Sequence, residues 1–212
     1  MSGLYPALLD VRRLRVLVVG GGAVALRKVR GVVAAGGSPV VIAPAVLDEL
    51  RALIGSVPLV WHAREYAPGD AAGCRLVFAA TGSAAVNAAV AREAEAAGAL
   101  VAVADDGPGS TLHTPSSVRQ GGVVVAFSTG GASPLLARRL RERLEAVVTP
   151  GLGRAARRLE RARAQVRARW PGDAPRRRAA WFQLVTPEFL DAAIAGRDDD
   201  VESRISQCLS QS

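Results

Sequence analysis

The residues best placed to do chemistry are small ones: Gly20, Gly22 and Ala25 stand in the pattern G-x-G-x-x-A within Gly20-Gly21-Gly22-Ala23-Val24-Ala25. Each has a separate job in such a loop. Gly20 permits a tight turn, Gly22 lets the backbone approach a pyrophosphate, and Ala25 lets a helix pack closely on a strand. Ala23, Val24 and Ala25 then present free amides at a helix N-terminus, where the dipole is positive and a diphosphate is welcome. The pattern predicts a bound nicotinamide dinucleotide and an oxidoreductase. An acidic residue usually ends the second strand of such a unit and holds the ribose, but Ile42-Ala43-Pro44-Ala45 stands there instead. Pro44 and Ala45 would line that edge without a carboxylate. No basic residue follows within Ala45 to Leu47 to grip a 2′-phosphate, so NAD is favoured over NADP.

Other reactive side chains are sparse. Cys74 and Cys208 lie far apart with no C-x-x-C pair, which argues against a disulfide framework or a structural zinc and for two inert thiols. His113 could shuttle protons or bind a metal, but no second His, Cys or carboxylate stands at ligand spacing. No metal site is expected. His62, beside Trp61, reads as surface or packing.

The elements that must position these residues follow from hydropathy. Leu14 to Val19 is an apolar run that ends at the glycines, and Leu26, Val29, Val33 and Ala34 then recur at helical spacing up to Gly36-Gly37. Pro39 to Ala43 reads as a second buried strand, which completes a βαβ unit. Val57 to Trp61 and Leu76 to Ala80 are further strand candidates, separated by the turn Ala67-Pro68-Gly69-Asp70. Ser83 to Ala97 predicts a helix stopped by Gly98, and Leu100 to Ala104 a strand that runs into Asp105-Asp106-Gly107-Pro108-Gly109. This alternation predicts an α/β fold: a Rossmann-type, doubly wound parallel sheet with ligand over the carboxyl ends of its strands.

Beyond it, Val123 to Phe127 reads as a strand, and Ser133-Pro134 as the cap and first turn of an amphipathic helix carrying Leu136, Leu140, Leu144 and Val147. From Gly151 to Arg178, ten arginines face only Glu160 and Asp173, and Leu159 with Val166 offer little core. Trp181, Phe182, Leu184, Phe189 and Leu190 form an apolar cluster. The last residues, with Asp198-Asp199-Asp200, read as a solvated end. The expected organisation is a dinucleotide-binding domain over 1–113, a segment over 114–149, and a helical C-terminal region over 150–212.

The 212 residues are half apolar and 22% charged, an ordinary globular balance that excludes a mostly disordered chain. Met1 to Asp10 lacks a signal peptide's features, and no apolar run approaches the roughly 18 to 20 residues that span a bilayer, so a cytoplasmic protein without a membrane partner is expected. The net charge of +8 favours an acidic partner.

Several of these stretches occur together in a known family. Leu4-Tyr5-Pro6, then Val18-Val19 through Arg27-Lys28, Ala79-Ala80-Thr81 with Asn87, Thr114-Pro115, and Ser128-Thr129-Gly130-Gly131-Ala132-Ser133-Pro134-Leu135-Leu136-Ala137 are similar to the precorrin-2 dehydrogenase / sirohydrochlorin ferrochelatase family, the N-terminal module of siroheme synthase. The resemblance runs in order over residues 4 to about 148 and more loosely to Phe182. It implies NAD-dependent oxidation of precorrin-2 to sirohydrochlorin and, in many members, insertion of ferrous iron to give siroheme. It also implies a homodimer in which the segment over 114–149 exchanges contacts with a partner.

The family's key aspartate corresponds to Asp105, with Asp106 as the alternative register, and it would act as a general base. Thr81 joins the coenzyme-binding residues, while Ser128 and His113 become candidate substrate contacts. The arginines suit the many carboxylates of such a tetrapyrrole. Two other classes stay open: a non-catalytic NAD-binding or tetrapyrrole-sensing protein, and a basic protein that binds nucleic acid through Arg154 to Arg178. Against the second, aromatic residues are scarce there and no recognised motif appears, so nucleic acid is not the expected partner.

Overall fold

The computed structural model describes residues 3–104 and 109–210, and the chain divides into two compact units, Met1–Thr114 and Pro115–Ser212. Five parallel strands build the first unit: β1 (Val16–Val19), β2 (Pro39–Ile42), β3 (Val60–His62), β4 (Leu76–Ala79) and β5 (Leu100–Val103), in the order β3-β2-β1-β4-β5. β1 and β4 are buried along their whole length, because helices cover both faces of the sheet and leave no side for polar residues. Val16 and Val18 point into a core shared with α1 (Ala23–Ala34) through Ala25, Leu26, Val29 and Val32. Leu17 and Val19 join the opposite core, with Val90, Ala91 and Ala94 of α3 (Ala84–Ala96). The strand order reverses beside β1, with β2 on one side and β4 on the other, which makes the carboxyl ends of β1 and β4 the natural ligand crevice.

The third strand lies later than its expected span, since Val57 makes only an isolated bridge to Ile54. A short helix, α2 (Asp48–Arg51), precedes it. The turn Ala67 to Asp70 is held from below by Glu93 of α3, which accepts hydrogen bonds from Tyr66 Oη at 2.5 Å and from the amides of Gly69 and Ala71 at 3.0 Å. Burial alone would raise the Glu93 carboxyl, yet these donors outweigh it and hold the group below its ordinary value. On β5 the outward amides of Val101 and Val103 donate to Thr111 Oγ1 and Ser110 Oγ, both at 2.9 Å, and the Val101 carbonyl accepts from the amides of Thr111 and Leu112.

The second unit opens with an antiparallel hairpin, β6 (Ser116–Gln120) and β7 (Val123–Phe127), turned at Gly121-Gly122. Five helices follow: α4 (Pro134–Glu145), α5 (Pro150–Arg169), α6 (Ala174–Leu184), α7 (Pro187–Ala195) and α8 (Asp198–Ser210). Ser133 caps α4 by accepting from Leu136 N at 3.2 Å, as its sequence predicts, a contact worth about 1 kcal/mol. Thr149-Pro150 begins α5 rather than merely ending α4: Thr149 Oγ1 accepts from Leu152 N and donates to Ile194 O at 2.8 Å. α5 has more core than its large residues suggest, because Ala155 and Ala162 are buried beside Val166.

The expectation of a solvated end is overturned. Asp198, Asp199 and Asp200 form the first turn of α8, where acids suit the helix dipole, and Val201, Ile205 and Cys208 recur at helical spacing and are buried. Asp198 lies 2.8 Å from both Arg154 Nε and Arg158 Nη1 of α5. Desolvation would raise the Asp198 carboxyl, but the two arginines prevail and lower it from its ordinary 3.8. A depressed carboxylate contributes stability that is complete above its unfolded value and vanishes as pH falls through the folded one. Acid melts below about pH 4 should therefore steepen in the wild type and flatten in Asp198→Asn; superimposable acid limbs would refute this.

Candidate functional site

The three glycines after β1 have three different reasons to be glycine. Gly20 has φ +123°, and a Cβ there would overlap the Ala80 carbonyl at the end of β4. At Gly21 a Cβ would overlap the Ala45 carbonyl, and the Gly21 oxygen accepts from Leu47 N at 3.0 Å, so the loop after β2 closes on this residue. The pattern G-x-G-x-x-A leaves the Gly21 position unspecified, because the close approach comes from a loop more than twenty residues away. Gly21→Ala should cost about 2 to 3 kcal/mol, read as a lowered melting temperature, since a backbone oxygen cannot yield as a side chain can. A variant melting with the wild type would show that the loop moves freely.

Gly22 is unlike both. Its φ of −85° and ψ of −170° are open to any residue, and a Cβ would meet nothing within 4 Å. Neither the backbone nor the packing calls for glycine, and the space in front of it is open. No side chain caps α1, and among the described residues no acceptor takes the amides of Ala23, Val24 and Ala25. In contrast, Ser83, Ser133, Thr149, Asp173 and Thr186 cap their helices with side-chain oxygens. A buried, fully packed Ala25 follows, which fits its expected role in seating α1 on the sheet.

The neighbouring strands bring the remaining coenzyme candidates to the same end of the sheet. Pro44 and Ala45 are exposed just beyond β2. Behind them Trp61 Nε1 donates to Ala43 O at 2.9 Å, and the Arg51 guanidinium lies 5.1 Å from the Trp61 ring. Thr81 sits beside Gly20, and its surroundings were not legible in the sequence. Asn87, a buried polar residue, accepts from Thr81 N at 3.0 Å and from Thr81 Oγ1 at 2.7 Å, and donates to Thr81 O at 3.1 Å. Asn87 is thus a positioning residue that sets the loop after β4. Its signal was its place one turn inside a helix of alanines.

Lys28, the single lysine of the sequence, lies on the second turn of α1. Its amine donates to Thr114 Oγ1 at 2.5 Å and lies 5.5 Å from the Phe78 ring, and burial, aided by Arg27, lowers its pKa. His113, next to Thr114, is exposed. Asp105 and Asp106 lie outside the described residues, directly after β5 and Ala104. In the second unit Ser128 is exposed just after β7, and its Oγ accepts from Gly130 N at 3.1 Å. Among the described residues no three His, Cys, Asp or Glu side chains are grouped to hold a metal, and no helix is long and apolar enough to cross a membrane.

An open glycine loop at the strand-order reversal of a parallel sheet defines a dinucleotide-binding protein of the Rossmann class. The family model described as "Putative NAD(P)-binding" matches residues 7–116, more than half of the sequence, and the chain belongs to that family. A second model, "Sirohaem biosynthesis protein central", matches residues 121–146.

The chain is 41% identical over 206 residues to the siroheme synthase of Chromobacterium violaceum, covering 95% of this chain and 44% of that protein. It is 44% identical over 193 residues to the siroheme synthase of Gluconacetobacter diazotrophicus, covering 89% and 40%. The chain thus spans less than half the length of these curated relatives. Among solved structures, "SirC, precorrin-2 dehydrogenase" superposes with a TM-score of 0.77 at 24% identity, over 96% of this chain and all of that one, a likeness of fold.

Proposed function

We propose that this chain oxidises precorrin-2 to sirohydrochlorin with NAD, as a step of siroheme synthesis. The observation that carries the reading is the empty space before Gly22 and the uncapped amides of α1, in a chain whose similarity to siroheme synthases runs through both of its units. The Ala23, Val24 and Ala25 amides would hold the diphosphate, Pro44 and Ala45 would flank the adenosine ribose, and Thr81 would border the nicotinamide half. Bound there, NAD supplies a hydride acceptor.

Oxidation removes one hydride and one proton from the substrate, so a base is needed for the proton. Asp105 follows the strand beside β4 and is assigned that task, with Ser128 and His113 as substrate contacts. The same base would accept pyrrole N–H protons if ferrous iron enters the product, with iron a substrate and not a resident cofactor.

The reading extends to assembly. Leu135, Leu136 and Leu140 of α4 and Val147 beyond it are exposed, and α4 buries none of its residues. An amphipathic helix with an uncovered apolar face fits the pairing of two copies through the segment over 114–149, next to a helical region over 150–212. We place the protein in the cytoplasm, where its two buried, unpaired cysteines stay reduced.

One anaerobic experiment tests the activity: precorrin-2 and NAD first, then ferrous iron. NADH absorbance should rise on the first addition. Absence of NADH with fresh substrate and a folded chain would end the proposal. Loss of the sirohydrochlorin spectrum on adding iron, faster than without protein, would establish the chelatase step.

A further inference from the structure

The second unit contains a cleft of about 550 Å³ between α5 and α6, lined by Arg163, Arg167, Arg177, Arg178, Trp181, Phe182 and Val185. We propose that this cleft is a binding site for a flat ring bearing several carboxylates, of the same chemical class as the substrate assigned above; the choice of class rests on that reading. Its chemistry is unusual for a protein surface. Phe182 is 70% exposed, Val185 46%, and Arg178 lies 5.6 Å from the Phe182 ring. Large apolar side chains left in water beside guanidiniums are the composition of a site that stacks an aromatic plane and neutralises its charges.

Several carboxylates of this unit are paired elsewhere, while Glu160 lines the neighbouring groove beside Arg163 and Trp181 without forming an ion pair among the described residues. Glu142 pairs with Arg138 and Arg139, Glu145 with Arg141, Asp198 and Glu202 with Arg154 and Arg158, and Asp200 with Arg197. Among the described residues no carboxylate lies within ion-pair distance of Arg163, Arg167 or Arg178, although they converge on one cleft. Arg177 is turned to the Trp170 carbonyl at 2.5 Å, where it braces the start of α6.

The arrangement also selects the ligand's shape. Arg163 and Arg167 come from α5, while Arg178, Trp181 and Phe182 come from α6, so cations of two helices share one cleft with an apolar surface. Anionic groups spread around the rim of a flat ring meet such cations while the ring covers the apolar surface. A nucleic acid would instead need a longer cationic track with bases stacked in succession. The cleft has the volume of a small-molecule site.

Binding of uroporphyrin, a porphyrin with carboxylates on every pyrrole ring, to the full chain tests the assignment, read by equilibrium dialysis and quenching of tryptophan emission. Two variants are compared with the wild type: Arg163→Gln/Arg167→Gln, and Phe182→Ser. Both sites are at the surface, and melting temperature and NAD affinity should hold in each. The variants should lose one class of porphyrin sites, with affinity there falling about tenfold or more, and rising ionic strength should weaken the wild type in the same way. Porphyrin affinities within about twofold of wild type in both variants would overturn the proposal. So would a single-stranded oligonucleotide that displaces the porphyrin from the cleft and loses affinity in the same variants. If precorrin-2 is not oxidised but the variants lose porphyrin, the dehydrogenase reading fails while the cleft stands. If NADH forms and the variants bind as wild type, the cleft alone fails.

Discussion

Gly22→Asp should weaken coenzyme binding severely and leave the protein at least as stable as before. The new carboxylate enters space where no protein atom lies within 4 Å, on a backbone conformation it adopts without strain. It can accept from the first amides of α1 as the other capped helices do, and its charge suits the helix N-terminus. Together these contribute a few tenths to about 1 kcal/mol. The same oxygen takes the amides a diphosphate would use and adds a negative charge beside it. Affinity for NAD should fall about a thousandfold, roughly 4 kcal/mol. Calorimetric titration with NAD and a thermal melt of the same samples read the two effects, which have opposite signs. Undiminished NAD binding would mean that the coenzyme lies elsewhere.

Asp105→Ala should lower kcat for NADH formation by about a hundred- to ten-thousandfold, the usual loss when a positioned base is removed, with the affinity for NAD unchanged. Asp106→Ala should be mild. The pairing matters because the two adjacent acids offer two registers for one base. An inverted result moves the role to Asp106; full activity in both variants removes the carboxylate base from the mechanism.

The dinucleotide unit was largely legible because its signals are local. Continuous apolar runs mark strands covered on both faces, and the glycine pattern lies directly between a strand and a helix, so β1, α1 and β2 follow from composition and spacing. What escaped depends on contacts distant in sequence. Gly21 is dictated by Ala45, and Thr81 by Asn87. The hairpin strand β6 escaped because only Val118 of its five residues is buried. In the helical unit half of the buried cluster is alanine, Ala155, Ala162, Ala180, Ala192 and Ala193, residues that hydropathy barely separates from a solvated helix face. The acidic triplet misled for a related reason: three aspartates in a row look like a tail until a helix begins on them.

The sealing of β5 carries a consequence for assembly. A terminal strand of an open sheet ordinarily offers a row of vacant amides and carbonyls that another polypeptide can continue, and this is how such sheets polymerise. Here serine and threonine hydroxyls occupy that row from within the same molecule, at Val101 and Val103. Growth of the sheet into a neighbouring molecule is closed on this side, so folded chains at high concentration lack one common route into fibrils.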